Sequence, residues 1–478
     1  MKPAEPTHED PLAAVLSDRF GGPAGEHSGI RPDGTPGGHW WWTPLRVVLA
    51  VMTLSFCLSM VHEKPCIGTA WGNDAVRYSK ACYSDIPYLY TGRGFATQQW
   101  PYASHDAYQR MEYPVGTSYF AWFASEVTSL APAGPMNQLR DAANPDSLWG
   151  LPGMTDEVSE YFVITAVLLF GFVLAAAYFL TRANPRRPWD GLMFAASPVL
   201  AATALINWDL LAVAASAGAL WAWSRGKPIW LGAFIGLGTA FKLYPLLLLG
   251  GVIALALRDR SRVRPALITT GAAVASWVLL QVPAWLGSFS AWTYFWSFNS
   301  TRGPDWGSLW LVAQHLGADY ATSQVNLVQW IVMGLICVGV AALARWAPRR
   351  PSLAQLGYLL TVGFLITNKV YSPQYVLWLL PLAILARPRW RDQLIWQACE
   401  LFYFFMIWWY FGGYLDLNVG STFALYSVAI FVRIAAEVYL VVMILLDLMT
   451  PADSADLDMV ELRRGVTDAG AYDPAWSD

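Results

Sequence analysis

Apolar stretches long enough to cross a bilayer recur along this chain from Trp42 to Met449. A span needs roughly 20 apolar residues. Within lipid, every backbone amide and carbonyl must find its partner inside the protein. Those two constraints leave an all-α polytopic membrane protein as the fold class. Spans are expected at 44–62, 159–181, 189–206, 209–224, 229–242, 244–258, 265–284, 326–345, 353–367, 373–386, 393–411 and 421–448, about twelve in all. Composition agrees: 14% of residues are charged, against about 25% in a soluble chain. Residues 1–43 are polar and rich in Pro and Gly, without a cleavable-signal pattern, and read as a disordered cytoplasmic tail. Residues 44–448 form the membrane domain, and 449–478 an acidic cytoplasmic tail.

Lys/Arg bias sets the orientation. One set of hinges carries Arg182, Arg186, Arg187, Arg225, Lys227, Arg258, Arg260, Arg262, Arg264, Arg345, Arg349, Arg350, Arg387, Arg389 and Arg391. The alternate hinges carry Lys242, Arg302 and Lys369. The basic set is expected inside, with both tails, in a multi-pass cell-membrane protein. Residues 63–158 then form a long first extracytoplasmic loop. The moderately apolar stretch from Tyr113 must not cross. It is expected to lie in the outer interface as a short amphipathic helix. If it crosses instead, every later hinge flips. With that loop outside, Cys66 and Cys82 can pair; two unpaired thiols are the alternative.

The segment WLGAFIGLGTAFKLYPLLLLGGVIALAL holds one charge, Lys242, with Pro245 just beyond it. A charge in a membrane stretch costs roughly 2.5–3.5 kcal/mol and faces a cavity or a partner. Proline interrupts a helix and frees backbone groups. NKVYSPQY repeats the arrangement with Lys369 and Pro373. Two lysines at two broken helices point to an anionic ligand; snorkelling to the interface is the alternative.

In the first loop Asp85 stands between Tyr83 and the Ile86-Pro87-Tyr88 run. A carboxylate desolvated by such neighbours has its pKa raised toward the range of a general base; an ordinary loop acid is the alternative. Asp74 and Asp106 are further loop acids, and Arg93 reads as a solvated loop residue. Glu112 is a candidate binding residue or a helix N-terminal acid. Asp209 is a candidate binding residue or a helix cap. Arg302 either reaches a phosphate or lies on the surface. There is no HExxH, CxxC or paired-His spacing, and no P-loop or Rossmann glycine motif. Neither a metal nor a cofactor is expected, nor a nucleotide-sugar donor, nor nucleic acid.

The strings SDIPYLYTGRGF, MEYPVGTSYF, NWDLLAVAA, FKLYPLLLL and NKVYSPQYVLWLLPLA resemble the C-type glycosyltransferases that use polyprenyl-phosphate sugars. The resemblance is nearest to glycosyltransferase family 87, a group that includes a phosphatidylinositol-mannoside mannosyltransferase. It covers residues 45–440 and implies a C-type glycosyltransferase fold with an extracytoplasmic site. It implies Asp85 as catalytic base. Pro87 stands where such families often carry a second acid, which puts a two-carboxylate or metal-bridged scheme in doubt. The resemblance further implies Lys242, Lys369 and Arg302 on the donor phosphate, with Glu112, Tyr244, Asp209, Tyr371 and Gln374 as further substrate-binding candidates. The expected partners are a polyprenyl-phosphate sugar, mannose or arabinofuranose, a glycolipid or glycan acceptor, and membrane lipid. A lipid or sugar transporter and a catalytically inactive scaffold for envelope synthesis are the rival readings.

Overall fold

The computed structural model describes residues 43–450 apart from 70, 105–106, 131–133, 136, 186 and 416–421. The readings of the two tails, of Asp106 and of Arg186 lie outside the described residues. The principal helices are α1 (Pro44–Gly68), α2 (Asp85–Gly92), α3 (Val115–Thr128), α4 (Met154–Ala183), α5 (Leu210–Ser224), α6 (Pro228–Phe241) and α7 (Leu246–Arg258). They continue with α8 (Val263–Gly287), α9 (Phe289–Thr301), α10 (Thr322–Trp346), α11 (Leu353–Thr367), α12 (Val376–Ala386), α13 (Trp390–Phe411) and α14 (Thr422–Met449). Among the described residues six helices are long and apolar enough to cross a membrane: α1, α4, α8, α10, α13 and α14. The apolar helices α5, α6, α7, α11 and α12 are shorter.

The stretch 189–206, read as one span, is not one helix. It breaks into Gly191–Ala195 and Pro198–Thr203. Pro198 has no N–H to continue the ladder. Ser197 caps the second piece by accepting from the Leu200 N–H at 3.2 Å, and its hydroxyl donates to Gln397 Oε1 at 2.8 Å.

Helix α1 runs antiparallel to α4: Phe56 meets Phe170 with ring centres 5.2 Å apart, and Trp71 meets Phe162 at 4.7 Å. The first loop therefore leaves and returns at one end of the bundle. Cys66, at the end of α1, is joined to Cys82 by a disulfide. Between these ends α3 does not lie as a separate surface helix. Its small residues Gly116, Ala121, Ala124 and Ser125 are buried, and Phe120 packs on Phe172, beyond the midpoint of α4. A Cβ on Gly116 would sit 2.7 Å from the Phe241 ring and 2.9 Å from the Ala240 carbonyl. The missing side chain is what lets α3 reach the end of α6. At 14 residues α3 spans about 21 Å, short of the roughly 30 Å of a hydrocarbon core.

The basic hinges gather at the other end. Arg225 donates to the Arg182 carbonyl, Arg187 to Pro388, and Arg258 to Ala347. The Arg349 amide donates to Leu448, and Arg387 pairs with Asp392 and Asp447. Helices α6 and α7 start and finish at this end, so their shared break at Lys242 lies opposite. Helices α11 and α12 do the same around Lys369.

The disulfide closes a 16-residue separation, which in the chain-entropy treatment contributes about 3 kcal/mol. Protein isolated from membranes without reductant is expected to yield a linked Cys66–Cys82 peptide pair by mass spectrometry. Recovery of both thiols free contradicts the bridge.

Candidate active site

Several separate parts of the chain close around a cavity of about 1150 Å³. Its wall includes Asp85, Glu112, Lys242, Tyr244, Arg302, Lys369 and Gln374, seven of the nine residues that sequence reading assigned to a substrate site.

Asp85 opens α2. Ser84 before it caps the helix through the Ile86 N–H and donates to the Leu205 carbonyl at 2.7 Å. The Asp85 amide donates to the Ile206 carbonyl at 2.7 Å. The acid is thus fixed by its own backbone to the segment that precedes Asp209. Its two oxygens are held separately. The Tyr83 hydroxyl donates to Oδ1 at 2.8 Å and the Tyr113 hydroxyl to Oδ2 at 2.9 Å. Burial raises the Asp85 pKa above the usual carboxylate value, the two tyrosine hydrogen bonds pull it back, and nearby Glu112 raises it while Lys242 lowers it. A partly desolvated carboxylate oriented by two hydroxyls suits proton acceptance.

Lys242 stands where α6 ends, in extended backbone (φ −153°, ψ 150°). Its ammonium lies 2.9 Å from Asp209 Oδ1 and 4.4 Å from the centre of the Tyr113 ring. Trp378 donates to the other Asp209 oxygen at 2.9 Å. Asp209 is fully buried behind Lys242 and does not itself line the cavity. Tyr244 stacks on Trp378 with ring centres 4.8 Å apart and accepts from Ser216.

On the far wall Arg302 pairs with Asp305 through Nε at 3.1 Å and through Nη2. Lys369 donates to the Asn326 amide oxygen at 2.7 Å. Burial and the Arg302 charge lower the Lys369 pKa. Lys242 and Arg302 each hold a carboxylate; the partner of Lys369 is a neutral amide. Buried Gln374 adds a side-chain oxygen with no hydrogen-bond partner among the described residues.

Glu112 is not a lone helix-terminal acid. Arg93, read as a solvated loop arginine, grips both its oxygens at 2.8 and 2.9 Å and also donates to Gln109. Tyr371 is displaced from its assigned place. Its ring is fully buried outside the cavity wall, its hydroxyl donates to Glu400 at 3.0 Å, and the Arg433 guanidinium lies 3.5 Å over its face. Sequence reading did not pick out Asn326, Asp305 or Trp378. Asn326 sits in an apolar run, and only folding brings it to a lysine 43 positions away. Among the described residues no group of three or more His, Cys, Asp or Glu could hold a metal ion.

Residues 154–367 match the model of glycosyltransferase family 87. Over this part the chain is similar to glycosyltransferase family 87. The matched segment carries Asp209, Lys242, Tyr244 and Arg302, while Asp85 precedes it and Lys369 follows it. No curated protein matches the chain. That match and six helices long and apolar enough to cross a membrane among the described residues together support a multi-pass membrane glycosyltransferase.

Breaking one partner of a buried ion pair leaves an uncompensated charge and costs about 3–5 kcal/mol. Asp209→Asn is expected to destabilise the protein by that order, and Asp209→Asn with Lys242→Met to recover most of the loss. Thermal unfolding in one detergent, read for both variants, checks the recovery.

Proposed function

We propose that this glycosyltransferase moves mannose from a polyprenyl-phosphate donor to an envelope glycolipid or glycan, at the extracytoplasmic face and with inversion. The observation that carries the reading is one cavity shared by a held carboxylate, Asp85, and the cations Lys242, Arg302 and Lys369. Two further features support a lipid donor. Phe295, Trp296, Trp330 and Met333 also line the cavity, and Trp330 is 77% exposed. That apolar side gives a polyprenyl chain a route in from the bilayer. The cavity also lies at the end of the bundle away from the basic hinges, which by the positive-inside rule is the outer end. Mannose rests on the family resemblance.

In the transfer, the acceptor hydroxyl oxygen attacks the anomeric carbon while its proton passes to Asp85. The bond from that carbon to the phosphate oxygen breaks, and the polyprenyl phosphate leaves with its bonding electron pair. The developing negative charge is stabilised by preplaced cations. Lys369 takes the main part, because it carries no carboxylate of its own, and Arg302, which holds Asp305 through Nε and Nη2, joins it through its Nη1 edge. Lys242 is already neutralised by Asp209. Its work lies beside the base: its charge favours ionised Asp85, and its ammonium packs under Tyr113. This moves Lys242 from the phosphate role assigned on sequence to the proton-accepting side.

Asp85→Asn is expected to keep the fold and lose about 10²–10⁴-fold in turnover, the usual yield of general-base catalysis. Near-normal transfer by the purified variant removes Asp85 from the mechanism. The base works ionised, so activity falls as pH drops through its raised pKa. Tyr113→Phe removes a bond that favours the ionised form and should move the acid limb of kcat/KM to higher pH. An unmoved limb counts against Asp85 as the titrating group.

The donor is tested by offering purified protein polyprenyl-phosphate mannose, polyprenyl-phosphate arabinofuranose and GDP-mannose separately, with membrane glycolipid as acceptor. Transfer from the first alone is expected. Transfer from GDP-mannose alone overturns the mechanism; transfer from the arabinose donor alone keeps it and changes the sugar.

A further inference from the structure

Helices α13 and α14 bury a charged cluster that apolar periodicity does not reveal. Arg433 of α14 pairs with Glu437 at 2.9 Å and is 1% exposed. Glu400 of α13 faces the same arginine, accepts from Trp396 at 3.0 Å and holds the Tyr371 hydroxyl. Replacing a buried ion pair by apolar residues is often neutral or stabilising. Stability alone therefore does not account for keeping these charges so deep.

Their placement does. Two loops carry the far-wall cations, 302–308 with Arg302 and 368–375 with Lys369. The loops are laced together by backbone: the Asp305 amide donates to the Lys369 carbonyl at 2.8 Å and the Tyr371 amide to the Trp306 carbonyl at 2.9 Å. The cluster grips this seam from behind. Arg433 Nη2 donates to the Gly307 carbonyl at 3.1 Å, and the Gly307 amide donates to the Tyr426 hydroxyl at 2.8 Å. Tyr403 donates to the Tyr371 carbonyl at 2.9 Å. The guanidinium lies over the Tyr371 ring. Gly307 has φ of 73°, and a Cβ there would stand 2.2 Å from the Tyr403 oxygen and 2.3 Å from the Tyr371 carbonyl. The seam is built for a backbone with no side chain.

We propose that Arg433 is a positioning residue: from α14 it fastens the 302–308 and 368–375 loops together and so sets where Arg302 and Lys369 stand. The inference rests on the reading that these two cations hold the donor phosphate. It adds a residue that touches no substrate and lies beyond the segment matched to the family. Misplacing a binding group by about 1 Å costs up to roughly 10²-fold, so a shifted seam should be read out on the donor.

The test is a double-mutant cycle on the full chain, with polyprenyl phosphate as the probe. Lys369→Met is expected to weaken its binding by roughly tenfold or more, and Arg433→Met to do likewise, with the acceptor KM unmoved in both. The double variant is expected to bind no more weakly than the weaker single variant. Unchanged binding by Lys369→Met defeats the donor-phosphate reading, and this inference with it. A loss in Lys369→Met, with Arg433→Met either silent or fully additive to it, overturns the positioning role alone. Gly307→Ala keeps every charge and disturbs the seam from the loop side, so it serves if Arg433→Met does not fold. It is expected to give the same donor-selective loss; a folded Gly307→Ala protein with unchanged polyprenyl phosphate binding overturns the proposal.

Discussion

A helix that stops inside an apolar bundle leaves amides and carbonyls that lipid cannot satisfy. Three breaks around the cavity meet this demand with a segment from elsewhere in the chain. The Phe241 carbonyl at the end of α6 accepts from the Thr117 hydroxyl of α3. The Thr367 carbonyl at the end of α11 accepts from the Trp310 indole. The carbonyls of Leu205 and Ile206, just before α5, accept from Ser84 and from the Asp85 amide. The first loop is drawn onto the bundle by this requirement. Asp85 then stands near Lys242 because both lie where broken backbone needs partners. The chemistry-bearing residues gather at the breaks for the same reason that the breaks survive in an apolar setting.

The same logic explains what the amino-acid order discloses. Proline beside lysine announces a break, and a break announces a polar site, so Lys242 and Lys369 were legible one residue at a time. Charge asymmetry between alternate hinges was legible too, because it needs only counting. Directions were not. Arg93 and Glu112 are read separately as a loop arginine and a helix-terminal acid, yet they form one two-pronged pair. Tyr371 sits in the right loop but turns its ring to the core, where Glu400 and Arg433 wait on helices read as plain apolar spans. An apolar periodicity count averages over such residues: a window of α14 stays strongly apolar with Arg433 and Glu437 inside it. The break within 189–206 was lost for a related reason, since one Ser-Pro step hardly alters the mean.

Charge accounting around the cavity separates residues that look alike in sequence. Four cations line it. Arg93, Lys242 and Arg302 arrive with a carboxylate in hand, and Lys369 arrives with an amide. A cation already paired contributes shape and local field, whereas one facing a neutral partner remains short of negative charge. Burial near Arg302 sharpens this at Lys369, whose ammonium is less comfortable there than in water.

The seam at Gly307 also has a consequence for the order of events during biogenesis. Its amide is bonded to Tyr426 and its carbonyl to Arg433, both on the last described helix. A ribosome delivers the Asp85 loop early and this helix after the other described helices. The wall with Arg302 and Lys369 therefore has no backing until α14 has been made. A chain that stalls or is cut before α14 would present a folded front half, with its oxidised loop in place, and an unfinished far wall.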